Sequence, residues 1–501
     1  SILSIQVTDK AGQAGFTISP KMIFEFPTIM ELSEIIDTER KIAEDHNIIT
    51  SAWIPLTPIQ RWFFEVHTIN PNHWNTSMIL QVDQPLDVKL LDNVLSYLYS
   101  HHDVLRLRFR KNDGQWIQEY SEENQYLPIT SYDFSTLPVS EHKNKIEEIA
   151  AEQQQSLDLQ NGPLMRIVYF NMGVSPHRIL IIIHHIIIDG VSWRILLDDL
   201  QSAYLQLLTG SEIMLPEKTT SFQFWINELI KYAKSPAIKQ EANYWLNIDA
   251  SEIKLLPKDN PSGSNTYADM RTITMSLDEV ETYQLLHQIP SAYETQINDI
   301  LLTSLVQTFY EWTGQTSLFL TMEGHGREYL FDNIDLSRTV GWFTTAFPVY
   351  LNMGESCAVG DMLLAIKKQL RNIPGHGIGY GILRYLSNDM EIVNKLKAVP
   401  NPEINFNYLG QFEQSQNTGL MPINVAAESF GPEHCQSENR IAPLEVIGIV
   451  SGGELGIQWR YSGQMYKVGT IVNLAEIYMK NLRNIIKSCK EVVVLGDSLT
   501  Q

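Results

Sequence analysis

Apolar positions crowd most densely between Arg178 and Trp193, where the chain reads Arg-Ile-Leu-Ile-Ile-Ile-His-His-Ile-Ile-Ile-Asp-Gly-Val-Ser-Trp. No polar residue alternates with the isoleucines, so the pattern predicts a strand buried on both faces, running into His184 and His185 and ended by an Asp189-Gly190 turn. Residues 192–208 then read as an amphipathic helix. Upstream, residues 1–36 read as two short helices, with apolar positions at 2, 3, 5 and 7, then at 29, 30, 32, 35 and 36 behind Pro27-Thr28. A helix opens near Pro58, and residues 89–112 give a helix and a strand. On that strand alternation places Arg106, Arg108 and Arg110 together, opposite Leu105, Leu107 and Phe109, with two of the three expected in solvent. An aromatic helix across 222–245 is expected to bridge two halves, and 254–275, rich in Pro, Gly, Ser and Asn, reads as a surface crossing. Helix 294–312 then precedes strand 316–322, which runs into Glu323-Gly-His-Gly-Arg-Glu328. Each half thus sets a strand just before a cluster of ionisable residues, which predicts two similar mixed α/β lobes, although no sequence repeat is visible.

At 501 residues the chain is long enough for more than one core. Its formal charge of -21 argues against nucleic acid or an anionic membrane as main partner. Cys357, Cys435 and Cys489 fit neither a disulfide framework nor a zinc site, which points to a reducing cytoplasm. No run is long and apolar enough to span a membrane, and the start lacks a signal peptide's basic region and cleavage site.

Neighbouring residues on a strand face opposite ways, so His184 and His185 are poorly placed to share a metal ion, and no metal site is expected. A division of labour fits better: one histidine structural, the other free to take and return a proton near neutral pH. Asp189 is either a catalytic carboxylate or, more simply, a turn-forming residue paired with an arginine such as Arg106. Glu323, at the end of a buried strand, is a carboxyl whose pKa should rise. The plainer reading of its cluster is a polar turn held by Arg327 and Glu328. The glycines of Pro374-Gly-His-Gly-Ile-Gly-Tyr-Gly lack the Lys-Ser/Thr that would make a phosphate-binding loop. Tyr408 is either a proton donor or core packing.

Taken together, these stretches resemble the epimerization domain of non-ribosomal peptide synthetases, in the condensation-domain superfamily, over roughly residues 51–490. The resemblance rests on Pro58-Ile-Gln-Arg-Trp-Phe, His184-His-Ile-Ile-Ile-Asp-Gly-Val-Ser192-Trp, Glu323-Gly-His-Gly-Arg-Glu, Arg338-Thr-Val-Gly-Trp-Phe, Gly379-Tyr-Gly and Phe406-Asn-Tyr-Leu-Gly-Gln. Residues 1–38 resemble the C-terminal part of a peptidyl carrier domain, from its attachment serine through Ile23-Phe-Glu-Phe-Pro-Thr28. The resemblance implies a linker at 39–50, an N-lobe at 51–225 and a C-lobe at 226–501, both chloramphenicol-acetyltransferase-like, in a V with a central tunnel. It implies 4'-phosphopantetheine carried on Ser1, and an aminoacyl or peptidyl thioester inverted at Cα. His185 and Glu323 would be the proton-transfer pair and Tyr408 a third participant, with His184, Asp189, Arg106, Ser192, His325 and Arg327 in support. Amides at the start of helix 192–208 could polarise the thioester carbonyl. The implied partners are the upstream adenylation and carrier domains and a downstream condensation domain, in a bacterial cytoplasm. Peptide-bond condensation is the alternative activity.

Overall fold

A computed structural model describes residues 2–36 and 53–499, apart from 17, 19, 27, 122–128, 174–175, 249–251, 290–293, 332 and 413–423. The expected linker and Ser1 lie outside the described residues. The chain divides into two compact units. Unit 1 comprises Ser1–Ala233, His325–Thr344 and Ser415–Cys435; unit 2 comprises Lys234–Gly324, Thr345–Gln414 and Gln436–Gln501. The first break follows Ala233. Beyond it the units are not contiguous halves, because two later segments return to unit 1.

The isoleucine run of unit 1 forms strand His177–His184, the centre of a five-stranded sheet. It pairs antiparallel with Asn75–Val82 on one side and Met165–Asn171 on the other. Leu180 and Ile182 join Ile79, Val168 and Phe170 in a core covered by Ile146, Ile149 and Ala150. Ile179, Ile181 and Ile183, which alternation sends to the other face, are buried as well. The unbroken apolar run is therefore explained by burial on both faces. Helix Gly190–Leu208 follows, starting two residues earlier than the pattern predicted because Asp189 caps it by accepting the Ser192 amide at 2.8 Å.

The arginine strand differs from expectation. Residues Asp103–Arg106 form a 3₁₀ turn, so Arg106 precedes the strand Leu107–Asn112. Arg106 and Arg108 are only 4% and 5% exposed, and Arg110 alone is in solvent. Arg106 donates to Asp103 Oδ1 and to the carbonyls of Tyr99 and Ser100, while Arg108 donates to the Leu107 carbonyl and the Tyr99 hydroxyl. Buried guanidinium groups persist because each meets several acceptors.

Among the described residues 2–36 there are three helices, not two: Ile2–Gln13, Pro20–Glu25 and Ile29–Ile35. The last begins where Thr28 predicted, with Thr28 and Glu31 forming a reciprocal capping box. Likewise Thr57 and Gln60 cap helix Pro58–Val66. The aromatic stretch 222–245 is two helices, Phe222–Tyr232 and Pro236–Leu246, interrupted where Ser235-Pro236 caps the second. The break also separates unit 1 from unit 2.

Unit 2 is built on a six-stranded mixed sheet, ordered Thr345–Asn352, Ser317–Gly324, Ile404–Phe412, Leu444–Ser451, Glu454–Ser462, Met270–Leu277. The last is an edge strand taken from the stretch read as a surface crossing. Strand Ile404–Phe412 runs parallel to both its neighbours and the remaining pairs are antiparallel. Alternation gives the sheet two unlike faces. Leu320, Phe406, Val446, Ile457 and Trp459 are buried on one, where Trp459 meets Phe309 and Tyr478 of helices Ile297–Thr313 and Val468–Leu499. The other face carries Thr321, Glu323, Asn405, Asn407, Glu445, Gln458 and Arg460.

The glycine-rich stretch 374–381 is structural. Gly377 has φ +91°, and a Cβ there would lie 2.1 Å from the Phe347 ring; a Cβ on Gly379 would lie 1.8 Å from Glu241 Oε1. Gly377→Ala therefore combines backbone strain with overlap in a packed core. It is expected to destabilise the protein by about 2–4 kcal/mol, read as a lowered denaturant midpoint.

Candidate active site

Two sets of functional side chains emerge, one in each unit. In unit 1 the strand ends at His184 and the next three residues tighten into a 3₁₀ turn. His184 is buried, and its two ring nitrogens are both used: Nδ1 accepts the Ile186 amide at 3.2 Å and Nε2 lies 2.8 Å from the Pro71 carbonyl. An acceptor role for Nδ1 leaves the proton on Nε2, which donates to Pro71. Burial pushes this imidazole down to about 3, so it is a neutral brace. From Ile179 to Asp189 only His185 retains partial exposure. Its backbone amide donates to the Trp74 carbonyl at 3.0 Å, its ring stacks on Trp74 with centroids 4.7 Å apart, and the Trp342 ring lies tilted against it at 5.1 Å. Nδ1 has no hydrogen-bond partner. Burial lowers the pKa of this ring too, opposed by backbone carbonyl oxygens and by Asp189. His185 is therefore a neutral imidazole, stacked on one indole and edged by another, able to accept a proton.

His67 belongs to the same packing, a residue that reading the sequence did not single out. Its ring centroid lies 5.0 Å from that of Trp74, and burial pushes it down to about 4. It sits on helix Pro58–Val66's C-cap, and nothing in the sequence pattern around it marks it out.

Asp189 holds the turn. Its carboxylate accepts the Ser192 amide, the Phe343 amide at 3.1 Å and Arg327 Nη2 at 3.1 and 3.2 Å. Ser192 Oγ donates to the Gly341 carbonyl at 2.9 Å and accepts from Arg327 at 2.9 Å. Arg327 Nη1 donates to the carbonyls of Leu336 and Thr339, and its guanidinium lies 4.1 Å from the Phe343 ring centroid. The expected arginine partner of Asp189 is thus Arg327 and not Arg106. With its oxygens occupied, Asp189 positions the turn and is not free to act as a base. The Ser192 amide is likewise unavailable to a substrate carbonyl. Arg327 does not pair with Glu328, which lies 3.5 Å from His325 Nε2, while His325 Nδ1 accepts the Arg327 amide. Arg327→Met would leave the buried Asp189 carboxylate uncompensated. A loss of about 3–5 kcal/mol is expected in chemical unfolding.

In unit 2, strand Ser317–Gly324 delivers Glu323 to the polar face of the sheet. Asn407 Nδ2 donates to Glu323 Oε2 at 2.6 Å. This follows from parallel register: Thr321 is opposite Asn405, so Asn407 meets Glu323 two residues later. Glu445, on the same face, is held by Arg440 at 2.9 Å. Glu323 is half-buried by surface area, yet the surrounding protein is dense. Desolvation, with a smaller contribution from the Glu445 charge, pushes its carboxyl up to about 7. Tyr408 lies elsewhere. It pairs with Gly448, whose Cβ position is 3.2 Å from the Tyr408 ring and 3.6 Å from Leu301, so the ring is on the helix-covered face. Burial pushes its hydroxyl up to about 12. The structure sets Asn407, not Tyr408, beside Glu323. Period-two alternation through Asn405-Phe406-Asn407-Tyr408 carried that information.

His184 and His185 do not share ligand geometry. Among the described residues His101, His102 and Asp199 could bring three ligand atoms within 4.8 Å, but Asp199 already accepts from His102 and Arg338. All three cysteines are free. No helix among the described residues is long and apolar enough to cross a membrane.

Residues 51–496 match the family model for the condensation domain, and the chain belongs to that family. It is 42% identical to a linear gramicidin synthase of Brevibacillus parabrevis over 493 residues, which is 98% of this chain but 10% of that protein. Surfactin synthase subunit 1 of Bacillus subtilis (strain 168) is 35% identical over 98% of the chain and 14% of its own length. Among solved structures, the epimerization domain from the third module of tyrocidine synthetase B superposes with a TM-score of 0.82 at 35% identity, covering 88% of this chain and 97% of that one. The X-domain from teicoplanin biosynthesis, at 15% identity, TM-score 0.68 and coverage of 88% and 96%, shares the fold. The expected mixed α/β class is that of this family.

Proposed function

We propose that this chain inverts the Cα centre of an aminoacyl or peptidyl thioester, held on the phosphopantetheine arm of a carrier, during non-ribosomal peptide assembly. The observation that carries the reading is Glu323: a half-buried carboxyl beside Asn407 and Glu445, with its pKa raised to about 7. Transfer of an acyl group to an amine has no need of a second proton relay of this kind, whereas inversion does. The 35% identity to an epimerization domain supports the same reading.

The chemistry requires removal of the Cα proton from one side and return of a proton to the other. One group takes the proton as electrons move onto the thioester oxygen; a second supplies a proton to Cα as the carbonyl re-forms. His185 and Glu323 fill these roles, with His184, Asp189, Ser192 and Arg327 fixing the histidine turn and Asn407 orienting the carboxyl. Arg106 braces the 103–106 turn, and His325 takes the Arg327 amide. Tyr408 supports, from the covered face of its sheet, the strand that carries Asn407. Ser1, the proposed arm attachment site, lies outside the described residues. Upstream adenylation and carrier domains and a downstream condensation domain are the proposed partners; neither nucleic acid nor a membrane is proposed.

The L and D thioesters differ little in free energy, so the product should be a mixture, enriched in D only by a later selective step. The test is chiral analysis after loading an L-aminoacyl thioester on the carrier. An L/D mixture reached from either enantiomer supports inversion. An amide product of unchanged configuration when an amine-bearing carrier is added would overturn it in favour of condensation.

A further inference from the structure

Arg338, the first residue of Arg338-Thr-Val-Gly-Trp-Phe, is left over from the site described above. Its Nη1 donates to both oxygens of Asp9, at 3.0 and 3.3 Å, and its Nη2 donates to Asp199 Oδ1. The other Asp199 oxygen lies 2.9 Å from His102 Nε2. Arg338, Asp199 and His102 are buried, and the Asp9 side chain is only 15% exposed. Asp9 sits on helix Ile2–Gln13, whereas Asp199 sits on helix Gly190–Leu208, which Asp189 caps at its other end. Next to Asp199, the exposed Asp198 is within electrostatic reach of Lys10 and Asp9 as well as Arg338. The contacts run in a chain: Asp9 on Arg338, Arg338 on Asp199, and Asp199 on the His102 ring. A guanidinium set between two carboxylates uses its planar fork in full only when both are present.

We propose that the face of unit 1 centred on Arg338 is the seat of helix Ile2–Gln13, and that Arg338 recognises an acidic residue at position 9 of that helix. The occupant is this chain's own segment, because Asp9 pairs with Arg338, which in turn pairs with Asp199 on helix Gly190–Leu208. The ion-pair geometry alone supports the seat. That the seated helix follows a carrier serine rests on the functional reading above. If both hold, Arg338 admits carriers by an acidic residue eight positions after the arm-bearing serine.

Amide hydrogen exchange on the full chain tests the seat without any assay of activity. In the wild type, amides of 2–13 should be protected. Asp9→Asn should speed their exchange about tenfold or more, while amides of 177–208 keep their rates. Asp9→Glu, which retains the charge, should restore protection. Unchanged exchange of 2–13 in Asp9→Asn would overturn the proposal. So would protection that grows with protein concentration, because a second molecule would then supply the occupant. Should the seat hold but no inversion be found, the failure lies with the catalytic reading alone.

Discussion

Replacing His185 by alanine is expected to reduce proton exchange at the substrate Cα by about a thousandfold or more, in the range for loss of a general base. The expectation follows from how its side chain differs from its neighbours'. Every other residue from Ile179 to Asp189 is buried, and His184 spends both ring nitrogens on the backbone. His185 alone combines partial exposure, a ring nitrogen without a hydrogen-bond partner and a neutral ring packed against the Trp74 and Trp342 indoles. The fold should survive, because the partly exposed ring faces only carbonyls of its own turn besides the two indoles; a cost of about 1–2 kcal/mol covers the lost packing. A folded His185→Ala protein with near-normal exchange would remove this residue from the mechanism. His184→Ala gives the contrasting result, since it removes hydrogen bonds to Pro71 and Ile186 and should lower stability along with rate.

Glu323→Gln should have an effect of similar size, and the pH profile shows why. The His185 pKa is lowered and that of Glu323 is raised to about 7. Between the two values the histidine is neutral and the glutamic acid protonated: one group is ready to take a proton and the other to give one. A single shared proton serves both directions, because moving it from one group to the other leaves the total unchanged. With an N-acylated substrate, whose amine cannot titrate, kcat/KM should therefore fall on the alkaline side near pH 7 and on the acid side below the ordinary histidine range. A rate that climbs through pH 7 to a plateau would contradict this assignment. Stability has its own sign. A carboxyl whose folded pKa is raised favours the fold below the ordinary carboxylate range, and that contribution is lost as pH rises through about 7. Glu323→Gln should lose less stability than the wild type over that window.

Much of this was legible in the sequence where local pattern decides structure. The isoleucine run specified a strand covered on both faces, Thr28 and Thr57 marked helix starts, and the ends of two strands marked His185 and Glu323. What could not be read was pairing between distant segments. Asp189 called for an arginine and the nearer candidate was Arg106, but the partner is Arg327, 138 positions away. Two of the three arginines on 106–110 read as solvated, whereas Arg106 and Arg108 are both buried, because alternation on an isolated strand gives no account of what covers it. Tyr408 stood as a third participant by resemblance, with core packing as the alternative; strand register sets Asn407 beside Glu323. The return of residues 325–344 to unit 1 is of the same kind: Glu323 and Arg327 are four positions apart yet belong to different units. Chain order implied contiguous lobes, whereas Arg327, Thr339, Gly341 and Phe343 hydrogen-bond to Asp189, Ser192 and Thr220 of unit 1.

Under the proposed inversion, protons enter and leave Cα through two different groups. The most direct measurement places each enantiomer of the carrier-bound thioester in heavy water and follows deuterium at Cα in both enantiomers from the first turnovers. Deuterium is expected in the newly formed enantiomer while the remaining substrate still carries protium, in both directions. Amide-bond formation with no deuterium at Cα, or equal labelling of both enantiomers from the outset, would contradict it.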